Sequence, residues 1–317
     1  MHTFSLVWSF ATSLPRPFTT VGSRMLLIAF MVAGYPCASQ EEKTPAPATE
    51  QAKAAEQAPA ESPASSATPK YPISVAVDSG TLYVVDLDLP GVWQVIDGKR
   101  ELFVMGTKLL RKPMNRPRCI ALHPEGGILV GDSATREVYH IAAKDAEPKP
   151  LCKARIGIAM AIAVAPDKQS FYVGDAEKRA VFRLPIEGGE PELIARVNAR
   201  GLAFDKDGAL WAVTPDDAAV HRIDVAAKTN EPIITGRPYQ YPNGLVWAGD
   251  HGFVTDGYGK AIWKFTADGK TEAWFTGEPL VGPVGMAIDD QSVWVADPKK
   301  LQVFKFDREK KAPQASL

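Results

Sequence analysis

The sequence predicts an all-β fold, a six-bladed β-propeller of four-stranded antiparallel blades. Three observations carry that prediction. A short apolar strand with a small first residue recurs six times, at Ser74, Cys119, Ala161, Gly201, Gly244 and Gly285, with spacings of 45, 42, 40, 43 and 41. Those spacings match the length of one propeller blade. In every repeat the last residue of the second strand lies six before the first residue of the third: 86 to 92, 132 to 138, 175 to 181, 214 to 220, 256 to 262 and 297 to 303. No stretch of the repeat region sustains a helical period, which argues against a parallel α/β fold.

The segments divide as 1–39, 40–70 and 71–317. Arg16 and Arg24 precede Met25–Gly34, ten apolar residues. That run is too short to span a bilayer and suits the apolar region of a secretory signal peptide. Cys37-Ala38-Ser39 supplies small residues for cleavage, so an exported, periplasmic or extracellular protein is expected. Cys37 is also a candidate lipidation site and membrane tether, although Tyr35 and Pro36 stand where such a site wants small residues. Residues 41–70 hold nine Ala, five Pro, five Glu and three Lys and no aromatic. Such a segment cannot bury enough apolar area to offset its ordering entropy, so it reads as a disordered linker.

From residue 71 the blades follow in order. The small first residues of the inner strands let backbones approach near the ring axis. The second strands, such as LYVVD and LWAVT, are apolar on both faces and need a neighbouring blade on each side. Third strands run VWQV, VYHI, VFRL, VHRI, IWKF and VFKF. Asp-Gly pairs at 97–98, 207–208 and 268–269 mark hairpin turns. Weaker fourth strands read ELFVMG, KPLCK, PELIA, EPIITG and TEAWFTG. In the sixth repeat only REKKAPQASL remains, so that blade has either a poor outer strand or three strands.

These blades resemble NHL repeats, whose unit runs Pro-x-Gly-Ile-Ala-Val-Asp, then Gly-x-Leu-Tyr-Val-Ala-Asp. Pro283-Val-Gly-Met-Ala-Ile-Asp289 followed by Val293-Trp-Val-Ala-Asp297 matches that unit best. Pro242-Asn243-Gly244-Leu245 is similar to the gluconolactonase, regucalcin and strictosidine-synthase group of six-bladed propellers. That resemblance implies a divalent metal at the channel mouth, held by a Glu, two Asn and an Asp at inner-strand starts. Of those positions only Asn243 matches here. Ile73 or Ser74, Arg118 and Val284 stand at the others. One oxygen ligand of four cannot hold a hard cation, so no metal and no cofactor are expected.

Composition narrows function little. The 45% hydrophobic and 23% charged content excludes a wholly disordered chain, and a net charge of −1 gives no pull toward nucleic acid. Asp86, Asp132, Asp175, Asp256 and Asp297 each end a second strand, where Asp accepts bonds from following backbone N–H groups. They read as structural turn residues. Asp205-Lys206-Asp207-Gly208 lacks the later residues of a calcium loop and reads as a hairpin turn. His140 and His221 fall in third strands, and His123 and His251 in turns of opposite blades, with no ligand spacing. Cys119 opens the inner strand of blade two and Cys152 lies in its outer strand, three spacings of ~4.8 Å away. Both are expected unpaired. The remaining signal is a basic and aromatic rim on the loops entering blades two to five: Arg116, Arg118, Arg155, Arg200, Arg237, Tyr241 and Asn243, with further cations at Arg111, Lys112 and Arg196. Arg forks suit carboxylate or phosphate. The expected function is an exported, monomeric binding ring for an anionic small molecule or an acidic protein segment. The alternative is a gluconolactonase-like hydrolase with a degenerate metal site.

Overall fold

A computed structural model describes residues 68–317. The predicted signal peptide, Cys37 and nearly all of the predicted linker lie outside the described residues. Six four-stranded antiparallel sheets follow one another along the chain. Blade one is β1 (Pro72–Asp78), β2 (Thr81–Asp86), β3 (Gly91–Ile96) and β4 (Lys99–Met105). Blade two is β5 (Pro117–Leu122), β6 (Ile128–Asp132), β7 (Glu137–Ile141) and β8 (Lys149–Pro150). Blade three is β9 (Ala159–Val164), β10 (Ser170–Asp175), β11 (Ala180–Pro185) and β12 (Glu192–Ala195). Blade four is β13 (Gly201–Phe204), β14 (Leu210–Val213), β15 (Ala218–Asp224) and β16 (Thr229–Thr235). Blade five is β17 (Pro242–Ala248), β18 (His251–Asp256), β19 (Ala261–Thr266) and β20 (Thr271–Thr276). Blade six is β21 (Met286–Ile288), β22 (Ser292–Asp297), β23 (Gln302–Asp307) and β24 (Pro313–Ala315).

Blade six settles how the ring closes. Its outer strand is the short segment Pro313–Ala315, which pairs Phe304 with Ala315 and Phe306 with Pro313. Among the described residues no strand is exchanged between the first and last blades. Side chains close the seam instead. Val75, Val84 and Trp93 of blade one pack with Ala287, Trp294 and Val303 of blade six, and Leu317 covers the cluster. The expected close approach of inner strands is also found here. A Cβ on Gly285 would lie 2.5 Å from Ile73 O and from Ser74 Cα. At Gly201 it would lie 2.6 Å from Asn243 O.

The strand-end aspartates are all fully buried. Each accepts from the following turn, as the sequence implies, and all five also accept from two successive N–H groups in the loop entering their own blade. Asp132 takes Ala134 N at 2.9 Å, Asn115 N at 2.8 Å and Arg116 N at 3.0 Å. Asp256 takes Gly259 N at 3.0 Å and Gln240 N and Tyr241 N at 2.8 Å. Asp86, Asp175 and Asp297 repeat the arrangement. These carboxylates therefore latch the loops that carry the rim. Blade four has Thr214 instead, whose hydroxyl is used within its own turn, on Ala218 O and Asp216 N. The incoming Asn198 then keeps a buried Oδ1 with no hydrogen-bond partner.

The Asp205 turn is closed, as expected: Asp205 accepts from Asp207 N, Ala209 N and Trp211 Nε1. Two sequence placements change. His251 opens β18, because the two-residue turn Gly249-Asp250, with Gly249 at φ 56°, is complete before it. Cys152 lies past β8, which Pro148 and Pro150 limit to two residues because proline lacks a donor. The chain then folds back on β7: Leu151 N donates to Val138 O, and Val138 N donates to Cys152 Sγ at 3.0 Å. Both cysteines are free and buried, in one apolar cluster.

Candidate functional site

Alternate residues of a strand face one side, so each inner strand sends three side chains toward the ring axis. They form three layers. The first layer is Ile73, Arg118, Met160, Arg200, Asn243 and Val284, around a cavity of about 70 Å³. The second, Val75, Ile120, Ile162, Leu202, Leu245 and Met286, is buried and closes the cavity floor. The third, Val77, Leu122, Val164, Phe204, Trp247 and Ile288, lines an apolar opening of about 330 Å³ at the other end. The channel is thus plugged at its middle and polar at one mouth.

Two arginines from blades two and four share that mouth. Arg118 Nε donates to Ser133 Oγ at 2.9 Å, and Ser133 Oγ donates to Arg116 O at 3.2 Å. Burial, then the neighbouring Arg116 and Arg200, pull the Arg118 guanidinium below its usual value, while Cys119 and Tyr241 act the other way. The group stays cationic regardless. Arg200 is held by its backbone N–H on Val213 O at 2.8 Å and is half-buried. Among the described residues neither has a carboxylate partner.

The other predicted rim residues divide. Arg155 pairs with Glu190 at 3.0 Å and Arg237 with Asp217 at 2.8 Å, both on the exposed surface and outside the cavity lining. Arg116 is exposed, immediately before β5, and has no carboxylate partner among the described residues. Asn243 is buried and lines the cavity, with its Nδ2 on Tyr241 O at 3.1 Å. Tyr241 is exposed and stacks on Tyr258, with ring centres 4.8 Å apart.

Residues 73–315 match the SMP-30/gluconolactonase/LRE-like region. The chain belongs to that family. No curated protein sequence matches it. Among solved structures it is similar to a putative gluconolactonase, at 17% identity and a TM-score of 0.60 over 78% of this chain and 91% of that one. Virginiamycin B lyase from Staphylococcus aureus is 14% identical, with a TM-score of 0.60 over 78% and 84%. A propeller in a nidogen/laminin complex is 13% identical, with a TM-score of 0.60 over 77% and 90%. At these identities the likeness is one of fold.

Family membership makes the metal question specific. Ile73, Ser74, Arg118, Asn243 and Val284, which stand at the family's ligand positions, all line the one cavity. Their donor set is one amide oxygen, one hydroxyl, two apolar side chains and a fixed guanidinium. A hard divalent cation wants several oxygens, carboxylates among them, so these residues do not fit it. Among the described residues no three His, Cys, Asp or Glu side chains are grouped to hold a metal.

Sequence reading missed two participants. Ser133 orients Arg118, and it is the only hydroxyl at the position after the strand-end residue, where the other blades have Leu87, Ala176, Pro215, Gly257 and Pro298. Tyr258 follows one residue later in blade five. The stacked pair His123 and His140, with ring centres 3.7 Å apart, joins a turn to a third strand of blade two. Neither ring lines the mouth cavity, so the pair is not part of the site.

Proposed function

We propose that the family fold here serves as a binding ring for anionic ligands, through Arg118 and Arg200 at the closed channel mouth. The observation that carries this reading is the pair of half-buried arginines lining one cavity without a carboxylate between them. Desolvated like charges destabilise a fold unless something neutralises them. A carboxylate or phosphate held by both forks would do so with charge-assisted hydrogen bonds. The reading includes export, for which the apolar run Met25–Gly34 after Arg16 and Arg24 is the support, so the ligand is one met outside the cytoplasm. A nucleic-acid partner has no support from the net charge of −1.

Calorimetric titration with inorganic phosphate and with citrate tests the reading. The full chain binds at least one of them, and affinity falls as salt screens the charges. Arg118→Gln with Arg200→Gln lowers it at least tenfold, while Arg179→Gln, whose partner is Asp216, does not. Equal affinity of the double variant would overturn the proposal. The second reading, a gluconolactonase-like hydrolase with a degenerate site, rests on Asn243 keeping its family position in the cavity. Lactone hydrolysis that requires added calcium or zinc and is lost in Asn243→Ala would favour it.

A further inference from the structure

The proposed anion site has a second component, which sets the kind of molecule that carries the anion. The cavity beneath Arg118 and Arg200 measures about 70 Å³, room for a few waters or one oxyanion head. Its floor is the apolar second layer, with Val75, Leu202 and Leu245 only 3–5% exposed. The body of any bound molecule therefore stays at the rim. Of the exposed large apolar side chains among the described residues, two are aromatic, Tyr241 at 40% and Tyr258 at 64% exposure. They are neighbours, stacked at 4.8 Å with their planes 28° apart. They sit beside the cavity. Tyr241 precedes Asn243 by two residues and accepts its amide N–H, and the Tyr241 hydroxyl lies close enough to act on the Arg118 charge. Gly257, just before Tyr258, lies against both the cavity wall and the Tyr241 ring, since a Cβ there would meet Asn243 Nδ2 and Tyr241 Cδ1 at 3.6 Å. Lys299 Nζ lies 5.8 Å from the Tyr258 ring centre, a third cation on the same side.

Exposed stacked rings next to an unneutralised cationic cavity combine two recognition chemistries. We propose that the mouth binds a small molecule with an oxyanion on a flat aromatic ring, the oxyanion between Arg118 and Arg200 and the ring against Tyr241 and Tyr258. Stacking on such a platform adds about tenfold in affinity over the anion alone.

This inference rests on the anion reading above, and the test separates the two. The probes are inorganic phosphate, phenyl phosphate and glucose 6-phosphate, titrated against the full chain. Phenyl phosphate is expected to bind about tenfold more tightly than inorganic phosphate and more tightly than the sugar phosphate. Tyr258→Ala brings the phenyl phosphate to phosphate ratio toward one, and Tyr258→Phe keeps it. Tyr258 is a surface residue, so circular dichroism is expected to show both variants folded. Equal binding of phosphate and phenyl phosphate would overturn the platform and leave the anion site standing. Preference for glucose 6-phosphate would likewise overturn the aromatic assignment. Binding of none of the three would remove the anion site itself.

Discussion

Replacing Asp132 tests whether the strand-end carboxylates are structural latches. Its Oδ2 accepts only Asn115 N, at 2.8 Å, while Oδ1 accepts Arg116 N and Ala134 N at 3.0 and 2.9 Å. Asp132→Asn keeps the second oxygen and turns an amide donor toward Asn115 N–H. One charge-assisted bond is lost, about 1.5–3 kcal/mol. For a domain of this size each kcal/mol lowers Tm by about 2–4 °C, so Tm falls by roughly 3–12 °C. Asp132→Ala releases all three donors. These bonds are partly buried, so each contributes about 1–2 kcal/mol and the loss is roughly 3–6 kcal/mol. Thermal circular dichroism and urea unfolding followed by Trp fluorescence measure both. The order wild type, Asn, Ala is expected. An Asn variant as stable as wild type would refute the latch, because a carboxylate kept for ligand chemistry gives that result. So would an Asn variant no more stable than the Ala one.

Three further outcomes follow from the geometry. Gly285→Ala drives a Cβ to 2.5 Å from the blade-one backbone; it costs about 1–3 kcal/mol and lowers Tm by roughly 2–12 °C, whereas Gly257→Ala, with its nearest contact at 3.3 Å, lowers Tm far less. His123 and His221 are both held below their usual value of 6.5, chiefly by burial, and His140 stacked on His123 adds to the effect there. The unfolded chain then binds more protons, so this stability is complete above about pH 6.5 and declines as pH falls below it; the loss in urea stability between neutral and mildly acidic pH is smaller in His123→Asn than in wild type. Burial pushes the Cys119 thiol up to about 12, and burial with Glu137 raises Cys152 as well. Mass spectrometry after iodoacetamide treatment at mildly alkaline pH finds both unmodified in the native protein and both labelled in guanidinium.

The fold was readable because each blade repeats the same burial problem. Second strands apolar on both faces, small inner-strand starts and a fixed step to the third strand leave few other architectures. The sequence left open whether blade six has an outer strand, since Pro313–Ala315 is short, exposed and without apolar alternation. At the mouth, Arg118, Arg200 and Asn243 were recognisable because they precede the small residue in three aligned strands. The neutralisation of Arg155 by Glu190 and of Arg237 by Asp217 was not, because those acids lie on other loops, 35 and 20 residues away. His123 and His140 meet through strand register: His140 faces Leu129, and Leu129 faces Ala121, just before the turn that carries His123. Cys152 was misplaced because two prolines shorten β8, which a strand count does not reveal.

In the proposed reading Arg118 and Arg200 form one anion site at the polar mouth of the channel. Crystals of the protein soaked in selenate and measured for anomalous scattering test it most directly. The strongest selenium peak is expected in the mouth cavity, contacted by both guanidinium groups, and is expected to disappear in the Arg118→Gln, Arg200→Gln variant. Selenate bound at Arg116 or other surface cations with the mouth empty would contradict it.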